Sequence, residues 1–420
     1  MNDYIVGLDI SSSKVCGAVG KLDTDNSIQL LGITTSSYEE AKAESITEEV
    51  STTINSVINR LEDIIGKSLR EAYISIPISM CEVVETKGVV SFPNLKEIND
   101  EDIVNVGEVA KFCVNKNQEI VQVDIEEYIV DGVRNIKNPK GMKATLLESE
   151  GNAFIVNNKY VNEYKKILKN AGIEIKGWIV NSIGMSKDTL NKDELCKGVA
   201  IIDIGSSNAE ISVFKGEKFI DHISIPFGGD TITKDISICL KLSLVDSEKL
   251  KFKCNTLLKG NSNENHRIRV VTEEERKKEI DYQMLEEIIC ERVKELIHII
   301  GERLKEAKLD TIVESFVLVG GGISQFRDIV TVTEDILKKP VRIGVPEYVG
   351  AANPIYSTAM GVIGYVLKRE QGLMEEEKKV EGYTSNGENI NGSRSNSSNK
   401  FIVKIKEFFK GFSNEEVTKW

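Results

Sequence analysis

Near the start of the chain the apolar positions alternate between dense runs and a spaced stripe. Ile5 to Ile10 and Val15 to Val19 are almost continuously apolar and are split only by Ser11-Ser12-Ser13-Lys14, which predicts two buried strands joined by a tight turn. Ile46, Val50, Ile54, Val57, Ile58, Leu61 and Ile65 recur at helical spacing and predict an amphipathic helix, and Ala72 to Ile78 reads as a further buried strand. Between Glu85 and Gly151 the pattern changes to a self-contained strand, helix, strand, strand unit, with Ile98 to Val114 as its helix and Ile120 to Val130 as its best strand. A small inserted domain is expected there. The chain returns through Phe154 to Val156, a helix near Tyr160 to Ala171, and Trp178 and Ile179.

The opening pattern then recurs. I-V-G-L-D-I-S-S-S-K at 5–14 is matched by V-A-I-I-D-I-G-S-S-N at 199–208, so Asp9 and Asp203 are equivalents, each ending an apolar strand before a turn of small residues. A second strand leaves each turn, Ala209 to Phe214 in the later copy. Backbone N–H groups at such a turn converge on an anion, and the carboxylate before them can hold a hydrated cation beside it. Two such hairpins facing each other would grip a metal-bound polyphosphate from both sides.

Further on, a helix starting near Asp281 carries Leu285, Ile288, Ile289, Val293, Leu296, Ile297, Ile300 and Leu304 on one stripe, which is core packing. Ser315 to Val319 forms an apolar strand that runs into Gly320-Gly321-Gly322, followed by a helical pattern from Ser324 to Leu337, and Asn353 to Val366 reads as a crossing helix. Glycines at a strand end let the backbone lie flat against a ring or a phosphate, and the run lacks the G-x-G-x-x-G spacing of a dinucleotide fingerprint. Strand-Asp hairpin, strand-Asp hairpin, strand-Gly-Gly-Gly is the order of the two-lobed α/β actin-like ATPase (ribonuclease H-like) fold.

Composition narrows the class. The 420 residues carry a formal charge of −12, which argues against broad nucleic-acid binding. Seven cysteines without C-x-x-C spacing (Cys16, Cys81, Cys113, Cys196, Cys239, Cys254 and Cys290) read as reduced core thiols. His222, His266 and His298 have no metal-ligand spacing. The start has no basic-then-apolar signal, and no stretch approaches the roughly 20 apolar residues of a spanning helix.

The C-terminal segment differs in kind. From Gln371 to Asn399 the sequence is polar and rich in Gly, Asn and Ser, the composition of a disordered tether. In K-F-I-V-K-I-K-E-F-F-K-G-F, Phe401, Ile402, Ile405, Phe408, Phe409 and Phe412 fall on one side of a helical wheel, with Lys400, Lys404, Lys406 and Lys410 on its flanks and opposite side. A terminal helix docking on its own domain is one reading. A helix lying in an anionic membrane surface suits the exposed aromatics and lysines better.

With these features in place, the chain resembles the bacterial cell-division FtsA family. The resemblance rests on V-G-L-D-I-S-S-S-K (6–14), I-V-D-G-V-R-N-I-K-N-P-K-G-M (129–142), I-P-F-G-G-D-T-I-T-K-D-I (225–236) and S-E-K-L-K (247–251). V-L-V-G-G-G-I-S (317–324), P-V-R-I-G-V-P-E-Y-V-G (340–350), N-P-I-Y-S-T-A-M-G (353–361) and the basic-aromatic end complete it. The resemblance implies a lobe-one core at 1–84 with 151–195 and 351–370, an inserted interaction domain at 85–150, a lobe-two core at 196–228 with 301–350, and a partner-docking subdomain at 229–300. A disordered linker at 371–399 and a membrane-targeting helix at 400–412 follow. It implies that ATP phosphates meet Ser11, Ser12, Ser13 and Lys14 on one side and Gly205, Ser206, Ser207 and Asn208 on the other, with Asp9 and Asp203 as outer-shell partners of Mg²⁺. Gly228, Gly229 and Asp230 would close the phosphate end, Gly320, Gly321, Gly322 and Ile323 would cover the adenine, and Glu248 and Lys251 would reach the ribose and base. An exposed ion pair is the ordinary alternative for Glu248 and Lys251.

The resemblance further implies an adaptor that polymerises with itself on the inner face of the cytoplasmic membrane at the division septum. It would anchor FtsZ through the FtsZ C-terminal tail and help recruit later division proteins. The family usually has Gly where Ser11 stands, and Gly or Thr where Ser206 to Asn208 stand. A serine with positive φ there would be strained, or would crowd the phosphate. With no nameable base, that suggests slow or absent hydrolysis. A pilus-assembly actin-like scaffold and a sugar kinase of the same superfold stay open as alternatives.

Overall fold

The computed structural model describes residues 4–23, 27–38, 46–111, 114–253, 257, 267–271 and 277–369. Positions 371–399 and 400–412, which carry the expected tether and membrane helix, lie outside them, as do Cys113, Cys254 and His266. The chain forms two compact units, one holding the start of the chain to Ile10, Lys14–Gly184 and the chain from Ala359, the other Ser11–Ser13 and Met185–Thr358.

The first unit is built on a five-stranded sheet. β1 (Ile5–Ile10), β2 (Lys14–Leu22) and β3 (Ile28–Ser37) form an antiparallel meander; after α1 (Ile46–Ile65), β4 (Glu71–Ile76) joins β1 in parallel. α1 occupies the predicted stripe and buries Val50, Ile54, Val57, Ile58 and Leu61 against this sheet. Each such side chain is worth about 1.5–3 kcal/mol when fully buried. The approach is close, since a Cβ on Gly17 would lie 2.6 Å from Val57 Cγ1. On the opposite face, a Cβ on Gly7 would lie 2.8 Å from Ile363 Cγ2 of the crossing helix, which runs over 357–369 after a short 3₁₀ turn at Pro354–Tyr356.

The insertion follows β4. β5 (Cys81–Glu97), α2 (Asp100–Val109), β6 (Gln118–Val130), β7 (Val133–Ile136) and β8 (Lys143–Asn157) make a four-stranded antiparallel sheet of order β5-β8-β6-β7. Its own core gathers Ile98, Val106, Val130, Ala144 and Leu147. The strands run past residues 85 and 150. Phe154 to Val156, expected as a separate return, is the end of β8 and stays paired with both neighbours. α2 is shorter than the predicted Ile98–Val114. Asn99 Oδ1 accepts from Asp102 N at 3.0 Å and Asp102 Oδ2 from Asn99 N at 3.0 Å, a capping box that starts the helix after Ile98. At its other end the Thr86 hydroxyl captures the Ala110 carbonyl.

α3 (Asn158–Asn170) and β9 (Glu174–Val180) complete the first sheet in the order β3-β2-β1-β4-β9. The insertion is bonded to this frame by Val180 N donating to Gln122 Oε1 at 2.7 Å and Tyr365 OH donating to Asp124 Oδ1 at 3.4 Å. The chain then passes to the second unit within α4 (Asn181–Thr189) and continues through α5 (Lys192–Lys197).

The second unit repeats the topology. β10 (Val199–Ile204), β11 (Ala209–Lys215) and β12 (Lys218–Ile225) form the antiparallel meander. α6 (Gly229–Leu240), α7 (Leu244–Lys251), the hairpin β13 (Arg267–Val271) and β14 (Lys277–Asp281), and α8 (Tyr282–Glu306) follow. β15 (Ser315–Val319) then lies parallel to β10, and after α9 (Ile329–Leu337) β16 (Val341–Ile343) closes the order β12-β11-β10-β15-β16. One face of this sheet packs Ile202, Ile204 and Ile211 with Ile236 of α6, and Ile289 and Leu296 of α8, in a single core. α9 starts at Ile329 rather than Ser324, because the Ser324 hydroxyl bonds back to the Gly320 carbonyl and Asp328 Oδ2 accepts from Leu257 N at 3.3 Å. Cys16, Cys81 and Cys290 are buried free thiols, whereas Cys196 and Cys239 are exposed, so the core reading fails for those two. None of the described helices is long and apolar enough to cross a bilayer.

Candidate functional site

The turn after β10 is the centre of a backbone cage. Gly205 N donates to Asn208 O at 3.0 Å and closes the hairpin. The start of α6 docks onto it, Gly229 N donating to Gly205 O at 3.0 Å and Asp230 N to Ser206 O at 2.8 Å. From the other side Gly322 N donates to Ile204 O at 2.8 Å. Side chains would break these approaches: a Cβ on Gly228 would meet Ser206 O at 2.5 Å, and one on Gly322 would meet Gly205 O at 2.5 Å. Gly229, at the first turn of α6, lies on Gly322 with a would-be Cβ to Cα distance of 3.2 Å. Three segments far apart in sequence thus lock backbone to backbone, the N–H groups of Gly229, Asp230 and Thr231 at the start of α6 being taken up by the Gly205, Ser206 and Gly228 carbonyls.

Asp203, next to the end of β10, lies opposite Glu210 on β11 and beside Val319 on β15. Glu210 is buried and accepts from Asn208 Nδ2 at 3.3 Å. The tip of the first hairpin belongs with this unit: Ser12 Oγ lies 2.7 Å from Ser206 Oγ and accepts from Ser207 Oγ at 3.1 Å. Ser12 and Ser206 are the same position in the two copies. In the first unit Asp9 lies across from Cys16, and its Oδ1 accepts from Ser75 Oγ at 2.6 Å. Burial and then the Asp9 charge push the Cys16 thiol far above its usual range, so it stays protonated. Lys14, next to this tip, opens β2.

Not every candidate is placed as the sequence suggested. None of Ser11–Ser13 or Ser206–Asn208 has positive φ, so the expected strain is absent. Gly205 itself has no positive φ, and a Cβ there would meet only Asn208, at 3.5 Å or more. That is why a serine fits the equivalent position, Ser11. Ile323 is buried within the core of the second unit, which leaves only its backbone for a ligand. Gly320 and Gly321 are half-buried, their carbonyls accepting from Ser324 Oγ and, at 3.4 Å, from Gln325 Nε2. Glu248 and Lys251 do pair, at 2.7 Å, but Lys251 is buried, so this is no surface ion pair.

Thr233 and Ser75 escaped the sequence reading. Thr233, one turn after Gly229, bonds Gly229 O at 3.1 Å and also Glu248. Ser75 had a usable signal, a lone hydroxyl inside an apolar strand. Among the described residues no group of three or more Asp, Glu, His or Cys is arranged to hold a metal ion directly.

Comparison with known proteins agrees with this architecture. The family model described as "Cell division protein FtsA" matches residues 200–361, and that of the "SHS2 domain inserted in FTSA" matches 79–155. The Bacillus subtilis cell division protein FtsA is 31% identical over 372 residues, covering 87% of this chain and 84% of the relative. That of Pseudomonas aeruginosa is 26% identical over 392 residues, covering 91% and 93%. Among solved structures, a PilM-PilN type IV pilus biogenesis complex aligns with a TM-score of 0.56 at 13% identity, covering 86% of this chain and 98% of that one. MreB 5 of Spiroplasma citri bound to AMPPNP aligns at 0.51 and 12% identity, covering 90% and 99%. At such identities these structures speak for the actin-like fold alone. The duplicated sheet, the glycine cage and the relatives that match nearly end to end place this chain in the FtsA family of cell-division proteins.

Proposed function

We propose that this protein is an ATP-binding division adaptor whose nucleotide phosphates sit on the cage around the β10–β11 turn. The observation that supports it most directly is that Gly228, Gly320 and Gly322 cannot carry side chains without striking the backbone or the carboxylate of 203–206. The cage fixes a tight turn of small residues beside the start of α6, a setting suited to holding a polyphosphate. Mg²⁺ would be held there through phosphate and water, with Asp203 as an outer partner. The MreB 5 relative in fold was solved with AMPPNP, which is consistent with a nucleotide here. Asp203→Ala should weaken magnesium-dependent ATP binding at least tenfold, or about 1.4 kcal/mol. Equal affinity in the variant, or no ATP binding in either protein, would overturn the reading.

The adaptor role adds self-assembly into protofilaments, docking of the FtsZ tail on the subdomain 229–300, and recruitment of later division proteins. Attachment to anionic membrane through residues 400–412 completes it. Family membership and the basic-aromatic sequence of that segment support these steps. Co-pelleting with FtsZ and lipid vesicles, with and without residues 371–420, tests them together.

A further inference from the structure

The tip of the first hairpin and the turn after β10 meet through three serine hydroxyls. Ser12 Oγ lies 2.7 Å from Ser206 Oγ, the usual separation of an O–H···O bond, and accepts from Ser207 Oγ at 3.1 Å. All three residues belong to the second unit, which takes in Ser11–Ser13. The turn itself is anchored, since Ser206 O accepts from Asp230 N at 2.8 Å and Gly205 N closes onto Asn208 O at 3.0 Å. Ser12 is thereby tied, through Ser206, to the start of α6.

A hydrogen count shows what this cluster can offer a ligand. A hydroxyl carries one hydrogen and two acceptor lone pairs, so the three serines hold three hydrogens between them. Ser207 spends its own on Ser12, and the Ser12–Ser206 pair spends one more whichever of the two donates. One hydrogen is left for anything outside. An ionised phosphate oxygen only accepts, so a phosphate on this turn gains at most one of these hydroxyls while the cluster is intact. To gain a second it must part Ser12 from Ser206 or from Ser207. The backbone does not require the bonds, because none of residues 11–13 or 206–208 has positive φ and the turns keep ordinary conformations.

We propose that Ser12, Ser206 and Ser207 form a latch that ties the hairpin tip to the phosphate turn and opens when a nucleotide phosphate enters, so that these hydroxyls restrain binding instead of adding to it. This rests on the nucleotide reading above and reverses the sign of the contribution that the family resemblance implies for these side chains. The latch is a property of serine here: a glycine at 206 has no hydroxyl with which to close it.

The test compares wild type with Ser12→Ala, Ser206→Ala and the double variant. Titration calorimetry with Mg-ATP gives the affinities, and amide hydrogen exchange at residues 11–13 is followed without nucleotide. One net hydrogen bond is worth a few-fold in an equilibrium, so each single variant should bind ATP about three- to tenfold tighter than wild type. The double variant should be no tighter than either single one, because both substitutions remove the same bond. In the free protein, exchange at 11–13 should be faster in all three variants. Weaker binding in the single variants would make the hydroxyls phosphate ligands, and unchanged binding would make the cluster inert. Either result overturns the latch with the nucleotide reading intact, as does an additive double variant or exchange at 11–13 that does not move. If wild type binds no ATP, the nucleotide reading itself falls and the gating falls with it.

Discussion

Gly320 follows β15 directly and Asp203 lies next to the end of the neighbouring parallel β10, and a Cβ on Gly320 would lie 2.3 Å from Asp203 Oδ1 and 2.6 Å from Ile204 O. The backbone there also has φ +83°, in the left-handed region. The glycine run is therefore tied to the acidic strand end it faces: the same missing side chain that lets β15 turn away leaves the carboxylate its place.

Gly320→Ala should accordingly be severe. The left-handed conformation alone costs of order 1–3 kcal/mol for an L-residue, and the collision with Asp203 adds to it. The variant should melt well below wild type and lose ATP binding in a fluorescent-nucleotide titration. Gly205→Ala, where the added Cβ meets only ordinary contacts, should stay within about 0.5 kcal/mol of wild type by denaturant unfolding. Equal tolerance of both substitutions would refute the cage.

Arg342 clamps the second unit, its Nη2 donating to Glu194 Oε2 at 2.8 Å and to Thr189 O at 2.7 Å. Burial raises the Glu194 pKa, but the Arg342 hydrogen bond and the Asn191 N–H outweigh it and hold the carboxyl below its ordinary range. A folded pKa below the unfolded one, about 4.3, gives stability that is present above that value and lost as pH falls through the folded pKa. Glu194→Gln should therefore melt lower than wild type at pH 7, and the gap should close as the pH drops below about 4. A gap that is constant with pH would mean that the charge contributes nothing.

Tyr365 links the crossing helix to the insertion through Asp124. Burial, then the Asp124 charge, push its phenol well above the usual range, so the hydroxyl stays a donor at every physiological pH. Its contribution to stability is full below the unfolded phenol pKa of about 10 and is lost only as pH rises through the folded value. Tyr365→Phe should cost about 1 kcal/mol, equally at pH 6 and pH 8, in urea titrations. No loss would show that this bond does not fasten the insertion.

The membrane proposal rests on sequence, at positions outside those the structure describes. Six large apolar side chains and four lysines, each worth roughly 1 kcal/mol near anionic lipid, suffice for reversible binding of one copy. Phe408→Glu with Phe409→Glu should abolish co-flotation with anionic vesicles while ATP binding is unchanged. Co-flotation equal to wild type would place the anchor elsewhere.

Much of the fold was legible in the sequence because it is written in local period and turn chemistry. The stripe from Ile46 to Ile65 gave α1 with both ends in place, the apolar runs before Asp9 and Asp203 gave the paired hairpins, and the stripe after Asp281 gave α8. These signals come from neighbours in the chain, so spacing alone reports them. What the sequence left open depends on groups that arrive from far away. Phe154 to Val156 joins β8 because β5 and β6 pair with it on both sides, and Ile323 turns to the core because the second sheet offers an apolar face. For Lys251 the spacing allows an ordinary surface ion pair and the resemblance implies a ligand contact, and only the tertiary structure brings Gly229 O and Thr233 Oγ1 to its remaining donors and buries it. Periodicity specifies which face of an element is apolar; what meets a polar side chain at its tip is decided by the packing of distant backbones.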